Sequence, residues 1–263
     1  MKAPEEDLYL ERTGEVATLV INRPRKRNAI TYEMWQAIPD LVREAEEDPG
    51  VKVLLVRGAD SSAFSAGADI GEFEARRSDS ESARIYNEAT HEAERALDSM
   101  QKPTIAMVQG PCIGGGCGVA LACDLRISDT SARFGITPAK LGLVYSLSAT
   151  KQLVDLVGPA KSKYILFSGR QVDARRAYEI GLVDQLYEPE EVEEQTWKLA
   201  EEICSRAQFS VRSTKHIIRL ILSGQAGDDE ETLRLRNGSF DTEDYQEGVR
   251  AFLDKRPPNF TYS

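Results

Sequence analysis

The stretch of this sequence that most limits its fold is the 21-residue window from Pro103 to Cys123, which carries no charged side chain. A bilayer-spanning helix needs about 20 mostly apolar residues, so the length would suffice. Pro103, Pro111, Gln109, Gly110, Gly114, Gly115, Gly116 and Gly118 interrupt it, however, and argue against a membrane helix. The window therefore reads as buried soluble structure. Thr104 to Val108 is a strand, Gly114 to Ala122 a glycine-led helix, and Leu125 to Ser128 the next strand.

Outside the window the chain is acidic, with 43 Asp and Glu against 33 Lys and Arg and a formal net charge of -10. Non-specific nucleic-acid binding and docking of a basic protein patch on a membrane both require clustered positive charge, so neither partner is expected. The N-terminal MKAPEEDLYLERTG lacks the basic and apolar regions of a secretory signal, and a cytoplasmic protein is the expectation. Cys112, Cys117, Cys123 and Cys204 form no paired zinc motif and are too few for a disulfide scaffold. They read as small buried thiols.

Along the chain, Leu8 to Glu11 and Val16 to Ile21 flank Thr13-Gly14 as an opening hairpin. Thr31 caps a helix through Glu47, with a kink or break expected at Pro39. A strand is expected over Val51 to Val56, a helix over Ser82 to Met100 with Ile85, Ala89, Ala93, Ala96 and Leu97 spaced along one face, helices over 146 to 157, 159 to 167 and 173 to 180, and a late strand over Val183 to Leu186. Strands alternating with helices predict an α/β architecture with crossover connections. Beyond Glu188 the chain reads as almost entirely helical to Leu253. The division is a core over 1–199 and a helical C-terminal region over 200–263.

Two small-residue loops stand out, Ser65-Ala66-Gly67-Ala68-Asp69 and Ile113-Gly114-Gly115-Gly116-Cys117-Gly118. Each presents bare backbone N–H groups where the chain turns into a helix, and helix N-termini attract negative charge. Two such amides converging on one oxygen make an oxyanion hole, whereas tight packing alone would also select small residues. The glycine run fits neither G-x-G-x-x-G nor a P-loop, and there is no GxSxG elbow. His91 and His216, each on an expected helix, read as solvated surface residues and provide no metal site.

In order, Asn22-Arg23-Pro24 with Asn28-Ala29-Ile30, Ser65 to Ile70, Lys102 to Ala106, Gly114 to Cys117 and Cys123 to Arg126 strongly resemble the crotonase (enoyl-CoA hydratase/isomerase) superfamily. Phe134-Gly135, Ala174 to Val183 and Glu247 to Arg256 extend the resemblance over essentially the whole chain. It implies a crotonase/ClpP-like spiral of ββα units, a helical C-terminal trimerisation region, and homotrimers or dimers of trimers acting on acyl-CoA thioesters. No separate cofactor is implied, since coenzyme A is part of the substrate. By the same resemblance Ala68 and Gly115 hold the thioester oxygen. Arg25 and Lys26 approach the CoA phosphates, Ala66, Asp69 and Ile70 grip the adenine and pantetheine, and Lys255 reaches a neighbour's CoA.

The departures select among reactions. Hydratases of that superfamily carry glutamates where this chain has Gly118 and Pro138, and neither residue can transfer a proton. Decarboxylation of a malonyl-type thioester needs an enolate-stabilising oxygen site but no base, because breaking the C–C bond itself delivers the electrons. Thr137 to Tyr145 resembles the segment of methylmalonyl-CoA decarboxylases in which a tyrosine stands near the departing carboxylate, although some of those enzymes have a histidine at the position of Ala68. Tyr145 is thus the expected carboxylate-orienting group and Thr137 a second candidate. The alternatives are a hydratase or isomerase that recruits Glu72, Glu88 or Glu92, and a catalytically silent acyl-CoA-binding protein.

Overall fold

A computed structural model describes residues 6–261. The opening hairpin forms as β1 (Leu8–Thr13) and β2 (Val16–Ile21), antiparallel about Gly14, whose φ of 60° suits glycine. From β2 onward the large sheet is parallel, through β3 (Val53–Gly58), β4 (Thr104–Val108), β6 (Leu125–Asp129) and β9 (Gln185–Tyr187), in the order β1-β2-β3-β4-β6-β9. Pairing of Val16 with Val53 and of Ile21 with Gly58 moves β3 two residues beyond the expected Val51–Val56. The late strand likewise begins at Gln185 rather than Val183, where it meets Ile127 of β6.

A second, smaller sheet joins β5 (Pro111–Ile113), β7 (Arg133–Gly135) and β8 (Val172–Asp173). Single bridges extend its line, Ser65 with Cys112 and Ile30 with Ala68. Each turn of the chain thus lays one strand in the large sheet and a short extended segment in the small one. A helix then follows, α1 (Tyr32–Glu47), α2 (Phe73–Arg76) with α3 (Ser80–Ser99), α4 (Gly115–Ala122) or α5 (Leu147–Ser168). This is the expected spiral.

Thr31 caps α1 through its side chain, as expected, but the helix continues through Pro39 without a break. Proline normally disrupts a helix interior; here the buried face of Met34, Trp35, Ile38, Val42 and Ala45 packs on α3 across the proline. The two helices expected at 146–157 and 159–167 form α5, interrupted at Gly158 (φ 78°, ψ 163°). The helix expected over 173–180 is α6 (Ala174–Glu179).

Alternation along the strands divides the core. Leu54, Val56, Ala106 and Val108 face a cluster with Trp35, Leu97 and Cys117, while Val53, Leu55, Ile105 and Met107 face α7 (Val192–Cys204). The 199/200 division therefore falls inside a helix whose Val192, Ala200 and Cys204 are packed on the sheet. Beyond it lie α8 (Gln208–Leu222), α9 (Glu230–Gly238) and α10 (Glu243–Asp254); Ile218 and Ile221 of α8, Phe252 and Leu253 of α10, and Phe240 on the turn between α9 and α10 are exposed.

Candidate active site

The two small-residue loops meet at the start of α4. Gly114 precedes that helix with φ 55° and ψ -120°, and Gly67 has φ 90°, both in the region that favours glycine. A Cβ on Gly67 would lie 3.1 Å from the Gly115 nitrogen, and one on Gly115 would lie 3.7 Å from the Ala68 nitrogen. The flanking amides are committed: Gly67 N–H donates to Ser65 Oγ, Asp69 N–H to Ile30 O, and Gly114 N–H to Gly135 O. The Ala68 N–H and the first helical N–H of α4, on Gly115, have no such partner among the described residues. Two neighbouring, uncommitted donors at a helix N-terminus can hold an oxyanion.

One turn further along α4, Gly118 stands where two side chains converge. A Cβ there would collide with Glu94 Oε1 and come within 3.2 Å of the Tyr145 hydroxyl. Glu94 projects from α3, is 5% exposed, and has no hydrogen bond or ion pair among the described residues. Burial pushes its carboxyl up to about 7. The Tyr145 ring is half-buried, but its hydroxyl is fully buried and lacks a hydrogen-bond partner among the described residues. Burial first, then the charge of Glu94 and the thiols of Cys117 and Cys112, push that phenol well above its usual value. It stays a neutral O–H.

The sequence reading passed over Glu94, although a signal was present. It sits between Ala93 and Leu97 on the stripe that also buries Tyr86, a place where a charged residue is anomalous. The acids named from sequence lie elsewhere. Glu72 accepts the Tyr32 N–H at 2.8 Å, while Glu88 pairs with Arg84 and Glu92 with Arg95 at the surface.

The remaining candidates scatter around the loops. Arg25 and Lys26 are exposed on the turn Pro24–Lys26. Ala66 donates its N–H to Arg27 O, which ties that turn to the first loop. Asp69 is engaged by Arg23 at 3.0 Å and by the Gly71 N–H. Burial works to raise its carboxyl, but the Arg23 bond, the Gly71 N–H and the charges of Arg23 and Lys26 hold it below the usual range. Ile70 is 64% exposed. Thr137 is half-buried ahead of the turn Pro138–Leu141. Lys255 is exposed at the end of α10, with no hydrogen bond or ion pair to the loops among the described residues. All four cysteines are free and buried. His91 is exposed beside Ser148, and His216 pairs with Glu231 at 3.0 Å.

Comparison with known proteins follows the same lines. Residues 11–263 match the enoyl-CoA hydratase/isomerase family. The crotonyl-CoA hydratase of Syntrophomonas wolfei is 35% identical over 259 residues, spanning 97% of this chain and 98% of that one. The methylmalonyl-CoA decarboxylase of Escherichia coli is 32% identical over 255 residues, 94% of this chain and 95% of that one. A solved enoyl-CoA hydratase/isomerase family protein from Hyphomonas neptunium superposes with a TM-score of 0.95 at 43% identity, covering 98% of each chain.

Proposed function

Because the chain belongs to the enoyl-CoA hydratase/isomerase family and is an enzyme of acyl-CoA thioesters, we propose that it decarboxylates methylmalonyl-CoA or a similar malonyl thioester. The thioester oxygen lies between the Ala68 and Gly115 amides. The bond between the α-carbon and the carboxylate breaks, its electron pair enters the enolate, and CO2 leaves. Tyr145 donates its hydroxyl hydrogen to the carboxylate and turns it out of the thioester plane, with Thr137 as a second donor. One observation carries this reading: at Gly118, in place of an acid on α4, lies a buried hydroxyl with no hydrogen-bond partner among the described residues.

Arg25 and Lys26 would take the CoA phosphates, Ala66, Asp69 and Ile70 would line the path of the adenine and pantetheine, and Lys255 would act on a neighbouring protomer's CoA. No further cofactor enters. The exposed apolar residues of α8 and α10 support a homotrimer or a dimer of trimers. The free cysteines suit a reducing cytoplasm. Purified protein incubated with methylmalonyl-CoA should release propionyl-CoA. A folded protein that binds the thioester and releases none overturns the assignment.

A second reading, hydration or isomerisation of an enoyl thioester, is favoured by the buried carboxyl of Glu94 beside the same glycine. Conversion of crotonyl-CoA to its 3-hydroxy product separates it from the first. Tight binding without turnover across malonyl and enoyl thioesters would leave only an acyl-CoA-binding protein.

A further inference from the structure

We propose that Glu94, reaching across from α3 into the space that Gly118 leaves open on α4, is the residue that carries the proton to and from the thioester α-carbon. The proposal rests on the enolate-stabilising role assigned to the Ala68 and Gly115 amides. It gives the enzyme a further activity, exchange of an α-hydrogen of saturated acyl-CoA with solvent.

The geometry places the parts in sequence. Gly115 and Gly118 are three residues apart on one helix, so they share a face with about 5–6 Å between their side-chain directions. The amide that receives the oxygen is on Gly115, and Glu94 Oε1 occupies the side-chain position of Gly118. In the proposed complex the thioester carbonyl points to the Gly115 amide and its α-carbon to Glu94. Trp35 backs the Gly115 end, its ring 2.9 Å from where a Cβ on that glycine would stand.

The state of Glu94 suits the task. A buried carboxyl with neither ion pair nor hydrogen bond among the described residues is costly and needs a use. The Tyr145 hydroxyl stands beside the same glycine and is a neutral phenol near pH 7, and burial is what raises the Glu94 carboxyl. A value near 7 populates both the acid and the base at neutral pH, the condition under which one group can give and take a proton.

Both directions balance. In exchange, the Glu94 carboxylate takes the α-proton and the C–H electron pair passes into the enolate. Glu94 then trades its proton with solvent and returns one to the same carbon. In decarboxylation, protonated Glu94 gives its proton to the α-carbon after CO2 has left, becomes a carboxylate, and is reprotonated by water. With Gly118 and Pro138 unable to act, the proton arrives from one face only.

The test is propionyl-CoA incubated with the protein in D2O and followed by mass spectrometry. The parent should take up one deuterium and stop, since the second α-hydrogen lies on the other face. Glu94→Gln should lose at least about 100-fold in exchange rate while binding propionyl-CoA within about threefold of the parent, and Glu94→Asp should recover part of the loss. Exchange by folded Glu94→Gln within about threefold of the parent overturns the proposal. So does a folded, thioester-binding parent that exchanges nothing. Should Glu94→Gln not fold, the parent's rate is expected to rise through pH about 7 and level off, and a flat profile overturns the assignment. Glu94-dependent exchange without propionyl-CoA from methylmalonyl-CoA would refute the decarboxylase reading and leave this one standing.

Discussion

On the outer face of α3, Glu81, Glu88 and Glu92 stand at the surface beside arginines, while on the inner face Glu94 is buried with no ion pair among the described residues. The Arg84 hydrogen bond and charge hold the Glu81 carboxyl below its usual value. Burial alone drives the Glu94 carboxyl to about 7. One residue type on one helix thus gives solvated charges on one side and a proton-transfer group on the other. Placement relative to water, not the count of acids, makes a carboxyl useful for chemistry.

The largest expected disruption of this contrast is Gly118→Ala. Its methyl would collide with Glu94 Oε1, displacing the carboxyl. Turnover and exchange should fall about 100-fold, and stability by about 1–3 kcal/mol from overpacking. Alanine for a helical glycine normally stabilises by roughly 0.5–1 kcal/mol, so the sign in urea unfolding decides the matter. Next in size is Tyr145→Phe, for which kcat should drop about tenfold with thioester affinity within about twofold. Because the lost hydroxyl has no partner among the described residues, stability should hold or rise slightly.

A third expectation concerns pH. Glu94 in the folded protein keeps its proton above the value of an unfolded glutamate, so between about pH 4.5 and about pH 7 the native state binds more protons than the unfolded state. Its contribution to stability is full below that window and is lost as pH rises through about 7. The unfolding midpoint of the parent relative to Glu94→Gln should decline over the window; a constant difference would place Glu94 in water. The smallest effects belong to the outer face, where Glu88→Gln and Glu92→Gln should leave turnover within about twofold. A large loss there would erase the distinction between the two faces.

Much of this was legible in the residues. The strand Thr104–Val108, the cap at Thr31 and the turn at Gly14 follow from local chemistry and lie where the sequence puts them. Pro39 misled because packing against α3 outweighs one missing helical hydrogen bond. Strand edges shifted because register is fixed by the neighbouring strand, not by the segment itself. The loop amides were foreseeable as a pair, since glycine and alanine at helix starts announce open backbone.

The sequence by itself determined the α/β alternation, the two small-residue loops and the absence of acids at Gly118 and Pro138. Tertiary structure alone decided what fills the space over Gly118. Helical periodicity could put Glu94 on the buried stripe of α3, but it could not say what that stripe would face. The answer came from packing α3 against a helix whose glycine has no side chain. There the missing Cβ leaves room, exclusion of water raises the carboxyl, and an acid distant in sequence arrives beside the tyrosine.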